Sequence, residues 1–329
     1  MSKKQRNEHV ILVTGGAGYI GSRLIRDLVN DPRFPNCIIR IYDNLQRHHL
    51  CGLMDLPSKH RYEFIEGDIL DRMNLTRAMQ GIDAVIHLAA IVKTPLSYDH
   101  PEWTKQVNHW GTANVVSCAL QTGVPNMIYS SSTSVYGLGG PFREEDTCHP
   151  VGPYAISKHQ AEIEVLQAGD RGLQATVVRV GTVFGNAPGM RFDAVVSRLA
   201  YLVGIGKPMV IHGNGEQTRP LIHVADASSA LRTCLAAGKG KDKVINAATM
   251  NPSVNEVALA LRKLVPKAQI QYTEQDVLAE ASFRVDSTKL MKLGFKPAYG
   301  LEKGLKDILE RWQGFRPMNM KLPSTKWAD

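Results

Sequence analysis

The stretch VILVTGGAGYIGS, residues 10–22, decides the fold. It starts as a short run of β-branched and aliphatic residues and passes through Gly15, Gly18 and Gly21. A helical pattern follows over residues 22–29, and a second apolar run, IIRIYD, occupies residues 38–43. A strand, a glycine turn, a helix and another strand in this order predict a βαβ unit.

The rest of the chain extends this alternation. Apolar runs occur at residues 62–68, 83–90, 126–132 and 175–181, with helical patterns between them. Strands that are hydrophobic throughout are buried on both faces, so we expect a doubly wound parallel α/β sheet.

The pattern becomes less regular after Gly185. We expect a helix at about 193–204 and a strand at 221–224, followed by amphipathic helices around a short strand, IQYTE. The predicted domains are therefore a large one over residues 1–184, to which 221–248 returns, and a smaller substrate-binding α/β lobe over 185–329.

Composition limits the class of protein. The 329 residues are 43% hydrophobic and contain no apolar stretch long enough for a signal peptide or a membrane span, which predicts a soluble, cytoplasmic protein without a membrane partner. Five scattered cysteines with no CxxC pair indicate neither a disulfide framework nor a metal site. The net charge of +8 is spread along the chain, which favours an anionic small-molecule ligand over nucleic acid.

The three glycines predict a dinucleotide site. They are spaced GxxGxxG between a strand and a helix, where a tight turn, close approach to a pyrophosphate and close helix packing each need a residue without a side chain. The helix N-terminus adds amides and a partial positive charge for phosphates.

Asp43 predicts which dinucleotide binds. It ends the second strand, 22 positions beyond Gly21, where a carboxylate accepts hydrogen bonds from ribose hydroxyls and repels a 2′-phosphate. NAD is therefore expected rather than NADP, although Arg40, Arg47 and His48 leave NADP open. Asp68, after the third strand, is a candidate for the adenine edge.

Further motifs resemble one family almost from end to end. They include HLAA at 87–90, VNHWGTANVV at 107–116, SSSTSVYG at 130–137, PYAISK at 153–158 and GNGEQTRPLIHVAD at 213–226. Together with TGGAGYIGS, YDNL and GDI, they resemble the extended short-chain dehydrogenase/reductases, the family of nucleotide-sugar epimerases and dehydratases. The resemblance implies a Rossmann-type fold, bound NAD and a nucleotide-diphosphate sugar substrate.

The catalytic candidates are Ser132, Tyr154 and Lys158. Tyr154 and Lys158 lie one helical turn apart and share a face, and a neighbouring ammonium favours the phenolate form that can act as a base. By resemblance, Ser132 hydrogen-bonds the reacting hydroxyl, Tyr154 removes its proton, and Lys158 holds the nicotinamide ribose.

The resemblance also implies the remaining binding residues. Those expected at the cofactor, besides the glycines, Asp43, Asp68, Tyr154 and Lys158, are Tyr19, Ile20, Asn44, Ile69, Leu88, Ala89 and Ala90. Those expected at the substrate are Lys93, Thr94, Thr133, Arg219 and Arg284, the two arginines as diphosphate clamps. Asn108 is expected to support the site from its helix.

The two residues that directly follow Ser132 indicate which reaction of the family is catalysed. Dehydratases of this family usually carry an acidic pair there, whereas this chain has Thr133 and Ser134. This favours C4 epimerisation of a UDP-hexose or UDP-hexuronic acid, with no net redox change. Dehydration, decarboxylation, simple dehydrogenation or reduction, and a non-catalytic NAD-sensing role are the alternatives. Apolar residues on the helices at about 108–122 and 154–168 also predict a homodimer.

Overall fold

A computed structural model describes residues 9–46, 50–57, 61–238, 243–274, 282–312 and 314. Arg47 and His48, considered above for cofactor choice, lie outside these residues. No helix in the described ranges has the length and apolar character that a membrane span requires.

The strands and helices follow one another along the chain. The strands are β1 (Val10–Thr14), β2 (Ile38–Asp43), β3 (Tyr62–Glu66), β4 (Ala84–His87), β5 (Asn126–Ser132), β6 (Gly139–Phe142), β7 (Gln174–Val180), β8 (Thr182–Phe184), β9 (Met209–His212), β10 (Leu221–His223), β11 (Val244–Ala247), β12 (Ile270–Thr273) and β13 (Phe283–Val285). The α-helices are α1 (Tyr19–Leu28), α2 (Arg72–Ala78), α3 (Thr94–Asp99), α4 (Pro101–Lys105), α5 (Gly111–Thr122), α6 (Gly152–Gln167), α7 (Val195–Gly204), α8 (Val224–Ala237), α9 (Val254–Leu264), α10 (Thr288–Lys292) and α11 (Leu301–Leu309).

Seven parallel strands form the central sheet, in the order β11-β7-β5-β4-β1-β2-β3. The chain runs outward from β1 through β2 to β3 and then crosses to β4 on the other side, so the strand order reverses beside β1. Ligands of open α/β sheets bind in the crevice at the carboxyl ends of the strands at such a point. The predicted doubly wound parallel sheet is confirmed.

Helices cover both faces of this sheet. One apolar core joins it to α2, α5 and α6, with Leu12, Val85 and Met127 fully buried. The other joins it to α1 and α8, with Val13, Ile86 and Val178 fully buried or nearly so. Burial on both faces explains why these strands are hydrophobic throughout.

The C-terminal part builds a second apolar core. Helices α7, α9 and α11 pack on one another beside the parallel pair β9 and β12. Ser253 begins α9 with a capping box that includes Glu256. Strand β11, from within 221–248, pairs with β7 in the central sheet.

One local prediction is wrong, and two elements differ from their predicted form at one end. Residues 137–153 look like a connection rich in Gly and Pro, but they contain β6, whose partner is the distant strand β13. The strand expected at 221–224 ends at His223, because the His223 ring accepts a hydrogen bond from the Ala225 amide and caps α8. The helix expected from about 108 is a π-helical turn over Gln106–Trp110 that leads into α5.

Candidate active site

The glycine turn lies at the carboxyl end of β1. Gly15 has a φ of +69°, and its amide donates to the Tyr42 carbonyl at 2.8 Å. A Cβ on Gly21 would lie 2.3 Å from the Gly15 carbonyl oxygen, so α1 packs on the turn at a distance only glycine permits. Gly18 is the N-cap of α1 and offers no side chain, which leaves amides of the first helical turn available to phosphate.

Asp43 borders this turn from the end of β2. One carboxylate oxygen accepts from the Ala17 amide at 3.0 Å and the other from the Leu45 amide at 2.9 Å. The half-buried carboxylate is therefore fixed beside the glycine turn with further lone pairs for ribose hydroxyls. Asn44 donates to Asp68 at 2.8 Å, which joins two more predicted cofactor residues.

The remaining cofactor candidates lie around the same strand ends. The Leu88 amide donates to the Thr14 carbonyl at 3.0 Å, and a Cβ on Gly15 would lie 2.7 Å from the Ala89 nitrogen. Ala90 and Ile20 are half-buried, and Ile69 is buried. Tyr19 is also buried, but its hydroxyl donates to the Gly185 carbonyl, so it ties α1 to the segment that enters the C-terminal part.

The structure brings together the three predicted catalytic side chains. Ser132 ends β5, while Tyr154 and Lys158 occupy the first two turns of α6. Burial raises the pKa of the Tyr154 phenol above its usual value, whereas the neighbouring Ser132 hydroxyl and the charge of Arg191 oppose that rise. The Ser132 hydroxyl therefore lies near enough to the phenol to favour its phenolate form.

Lys158 is only 3% exposed and lies beneath the site. Its ammonium donates to the Ser130 carbonyl at 2.6 Å and lies 4.4 Å from the centre of the Tyr129 ring. Burial lowers the pKa of Lys158 to about 7, and the nearby Glu162 carboxylate opposes that shift. In the cofactor-free protein, Lys158 therefore loses its proton more readily than an exposed lysine does.

Ser134 completes the hydrogen bonding of Ser132. Both the amide and the hydroxyl of Ser134 donate to the Ser132 oxygen, at 3.2 and 2.8 Å. With two donors on its lone pairs, Ser132 has its own proton left for a partner.

A buried ion pair behind the site was missed. Glu162 follows Lys158 by one turn of α6, is 1% exposed, and accepts from the Arg179 guanidinium at 2.8–3.3 Å and from Ser131 at 2.5 Å. The i, i+4 spacing from Lys158 was the available signal, but the partner Arg179 comes from β7 and only the fold reveals it.

His87 was also missed. It is fully buried between Thr14 and Thr112, and burial lowers its pKa to about 3, with the charge of Lys158 adding to that effect. The ring is therefore neutral beneath the sheet's carboxyl edge.

Asn108, expected to support the site, lies on the π-helical turn. Its amide bonds to both the carbonyl and the amide of Ile91, at 2.9 and 2.8 Å, and donates to Ser157 at 3.1 Å. It therefore joins the loop after β4 to the helix that carries Tyr154 and Lys158.

The predicted substrate residues lie on separate elements of the fold. Lys93 and Thr94 are exposed at the start of α3, Arg284 is exposed on β13, and Thr133 is 2% exposed. Arg219 is half-buried, and its guanidinium donates to the Thr218 carbonyl at 3.0 Å. Lys93 and Thr94 thus lie at the start of α3, Thr133 follows β5, Arg219 precedes β10 and Arg284 lies on β13.

Arg191 is a further cation at the cleft. It donates to the Val92 carbonyl at 3.3 Å, pairs with Asp193, and is close enough for its charge to act on Tyr154. A single arginine in an irregular segment gave no sequence signal for this position.

Comparisons with known proteins agree with this geometry. The model of the NAD dependent epimerase/dehydratase family matches residues 11–248. A mouse (Mus musculus) dTDP-D-glucose 4,6-dehydratase is 31% identical over 314 residues, which cover 91% of this chain and 87% of the relative. The chain therefore belongs to the NAD dependent epimerase/dehydratase family, and NAD is its cofactor.

Two solved structures are similar over nearly their whole length. UDP-glucose 4-epimerase of Thermotoga maritima, solved with UDP-glucose, has a TM-score of 0.82 at 27% identity and covers 92% of this chain and 98% of its own. MoeE5, solved with UDP-glucuronic acid and NAD, has a TM-score of 0.78 at 30% identity, with the same coverage of 92% and 98%. The family and the fold follow from these matches, whereas the relatives differ in their reactions.

Proposed function

We propose that the protein interconverts C4 epimers of a UDP-hexose or UDP-hexuronic acid. The observation that carries this proposal is a complete Ser132, Tyr154 and Lys158 set followed by hydroxyl residues at 133 and 134. Epimerisation needs one proton-transfer group and a cofactor that remains bound, because it causes no net redox change.

Each side chain has a defined task in this proposal. The Ser132 hydroxyl, oriented by Ser134, holds the sugar 4-hydroxyl, and the Tyr154 phenolate removes its proton. The Lys158 ammonium favours that phenolate and binds the nicotinamide ribose. The glycine turn and Lys158 would hold NAD, which would supply the hydride acceptor for oxidation at C4 and the hydride donor for its reversal.

Thr133 and Ser134 argue against dehydration. Removal of water needs an acid and a base at neighbouring carbons, and family dehydratases usually place two carboxylates at these positions. Here Thr133 is buried, and the Ser134 hydroxyl is already a donor to Ser132. Similarity to the mouse dehydratase therefore supports the shared oxidation at C4 more than the later elimination.

The diphosphate must stay fixed while the keto sugar turns over to its other face. Arg219 is our candidate for this pivot, with Arg284 as a second contact, because a guanidinium binds phosphate oxygens in pairs. Burial lowers the pKa of Arg219, and an incoming diphosphate would offset the cost of burying that cation. Loss of Arg219 should weaken substrate binding far more than NAD binding.

The same proposal includes a homodimer. Trp110, Ile156 and Ile163 are 57%, 42% and 44% exposed, and they belong to the π-helical turn and to α6, which pack on each other. Large apolar side chains gathered on one part of a surface are typical of interfaces. The predicted cytoplasmic location stays a prediction.

A sugar-nucleotide panel tests the function. We would incubate the purified protein with UDP-, GDP-, dTDP- and CDP-sugars and identify products by NMR, with Tyr154→Phe as the control. A C4 epimer formed by the wild type and nearly absent with Tyr154→Phe supports the proposal. A water-eliminated or decarboxylated product would replace epimerisation by another reaction of the family.

A further inference from the structure

Three potential metal ligands converge between α6 and the connection that precedes it. Cys148, His159 and Glu162 each place a ligand atom so that the three atoms lie within 4.8 Å of one another. Neither the epimerase proposal nor the NAD site uses the Cys148 thiol or the His159 imidazole.

The His159 and Glu162 side chains already interact across this cluster. His159 Nδ1 is buried and has no hydrogen-bond partner among the described residues. It lies 3.7 Å from Glu162 Oε2, which is beyond hydrogen-bonding distance. A buried ring nitrogen that faces a carboxylate oxygen and a sulfur atom has only electron-pair donors in front of it, which suits a cation.

The fold holds these donors in place. His159 and Glu162 are three residues apart and share one face of α6. Cys148 lies in the connection between β6 and α6, which continues into the first turn of α6, where Tyr154 lies. Its thiol is half-buried and unoxidised.

The charges around the cluster also allow a divalent cation. In the metal-free cluster the Cys148 thiol is neutral, and the Glu162 carboxylate is balanced by Arg179, to which it stays hydrogen-bonded. The net charge of these three groups rises from zero to +1 when a divalent ion replaces the Cys148 proton. A guanidinium on the outer lone pair of a ligating carboxylate is an ordinary outer-shell contact.

We propose that Cys148, His159 and Glu162 bind a divalent transition-metal ion of the Zn²⁺ class. Sulfur, imidazole nitrogen and carboxylate oxygen together suit Zn²⁺ and Co²⁺ rather than Mg²⁺ or Ca²⁺. In a tetrahedral zinc site such ligand atoms lie roughly 3.3–3.8 Å apart. The three side chains must therefore move toward one another by about an ångström to bind a single ion. Binding releases the Cys148 proton and leaves one position for water.

The ion would tie the connection before α6 to the middle of that helix. Because this connection leads directly to Tyr154, the bound metal holds the start of the catalytic helix and stabilises the folded protein. A ligand that binds only the folded state raises the unfolding temperature in proportion to the logarithm of its concentration.

Cobalt titration of the full chain tests the site without any assay of turnover. The protein is first stripped with a chelator, and Co²⁺ binding is followed by the thiolate-to-cobalt charge-transfer absorption. The variants are Cys148→Ser and His159→Gln, with Cys51→Ser as the matched control because Cys51 is exposed and remote in sequence. Circular dichroism and NAD affinity confirm that each variant folds.

We expect one Co²⁺ per chain in the wild type, displaced by Zn²⁺ with a rise in unfolding temperature. The charge-transfer band should vanish in Cys148→Ser, affinity should fall by about 100-fold or more in both variants, and Cys51→Ser should match the wild type. A wild type without the band, a band that survives in Cys148→Ser, or a band lost in Cys51→Ser would overturn the site.

Discussion

The hydroxyl of Ser134 donates to the hydroxyl of Ser132 across 2.8 Å, and the Ser134 amide donates to the same oxygen. Ser132 also lies near enough to Tyr154 to influence the pKa of its phenol. The proposed catalytic serine is therefore oriented from behind by Ser134.

We expect Ser134→Ala to lower kcat by about 3- to 10-fold with little change in KM, since one neutral hydrogen bond contributes about 1 kcal/mol. Ser134→Thr, which keeps the hydroxyl, should restore most of the activity. Steady-state kinetics across pH checks this. A Ser134→Ala enzyme with an unchanged kcat and pH profile would show that Ser132 needs no such partner.

Asp43→Asn should reduce the preference for NAD over NADP by about 10- to 100-fold, because charge-assisted hydrogen bonds to the ribose are lost and the repulsion of a 2′-phosphate is removed. The asparagine oxygen can still accept from one of the two amides that Asp43 binds. Titration of cofactor-free protein with both dinucleotides measures the effect, with Glu66→Gln on exposed β3 as control. A wild type that binds NADP as tightly as NAD would disprove the role of Asp43.

Lys158 makes a prediction about stability. Its pKa falls from 10.5 in the unfolded chain to about 7 in the fold, so between these values the unfolded state binds one more proton. Stability then rises with pH in that window, by about 1.4 kcal/mol per pH unit from this group. Relative to Lys158→Met, cofactor-free wild type should be least stable at pH 7 and below and should gain steadily toward pH 10. Urea unfolding that gives parallel pH profiles for the two proteins would contradict this.

How much of this could be predicted from the sequence depended on the distance between partners along the chain. The glycine turn, Asp43, and the Tyr154 and Lys158 pair are local patterns. The structure places the glycine turn and Asp43 at the carboxyl ends of the adjoining strands β1 and β2, and the Tyr154 and Lys158 pair in the first two turns of α6. Strand β6 was missed because its register is set by β13, far along the chain. The Glu162 and Arg179 pair was missed for the same reason, since burial creates that partnership.

Ile163→Glu should convert the proposed dimer into a monomer of about 36 kDa, because a charge on the apolar face of α6 cannot be buried without a partner. Leu259→Glu is the matched control, since Leu259 is 49% exposed on α9 and lies outside this face. Light scattering at micromolar concentration reports the masses. A wild type that is monomeric in this measurement would refute the dimer.

The most direct test of the epimerase proposal follows a label at the reacting carbon. UDP-glucose deuterated at C4 is incubated with the protein, and the products are examined by NMR. We predict the C4 epimer with deuterium still at C4 and no accumulation of reduced cofactor, because the hydrogen returns to the carbon that lost it. A 6-deoxy-4-keto product with deuterium at C6 would contradict the proposal and identify a dehydratase.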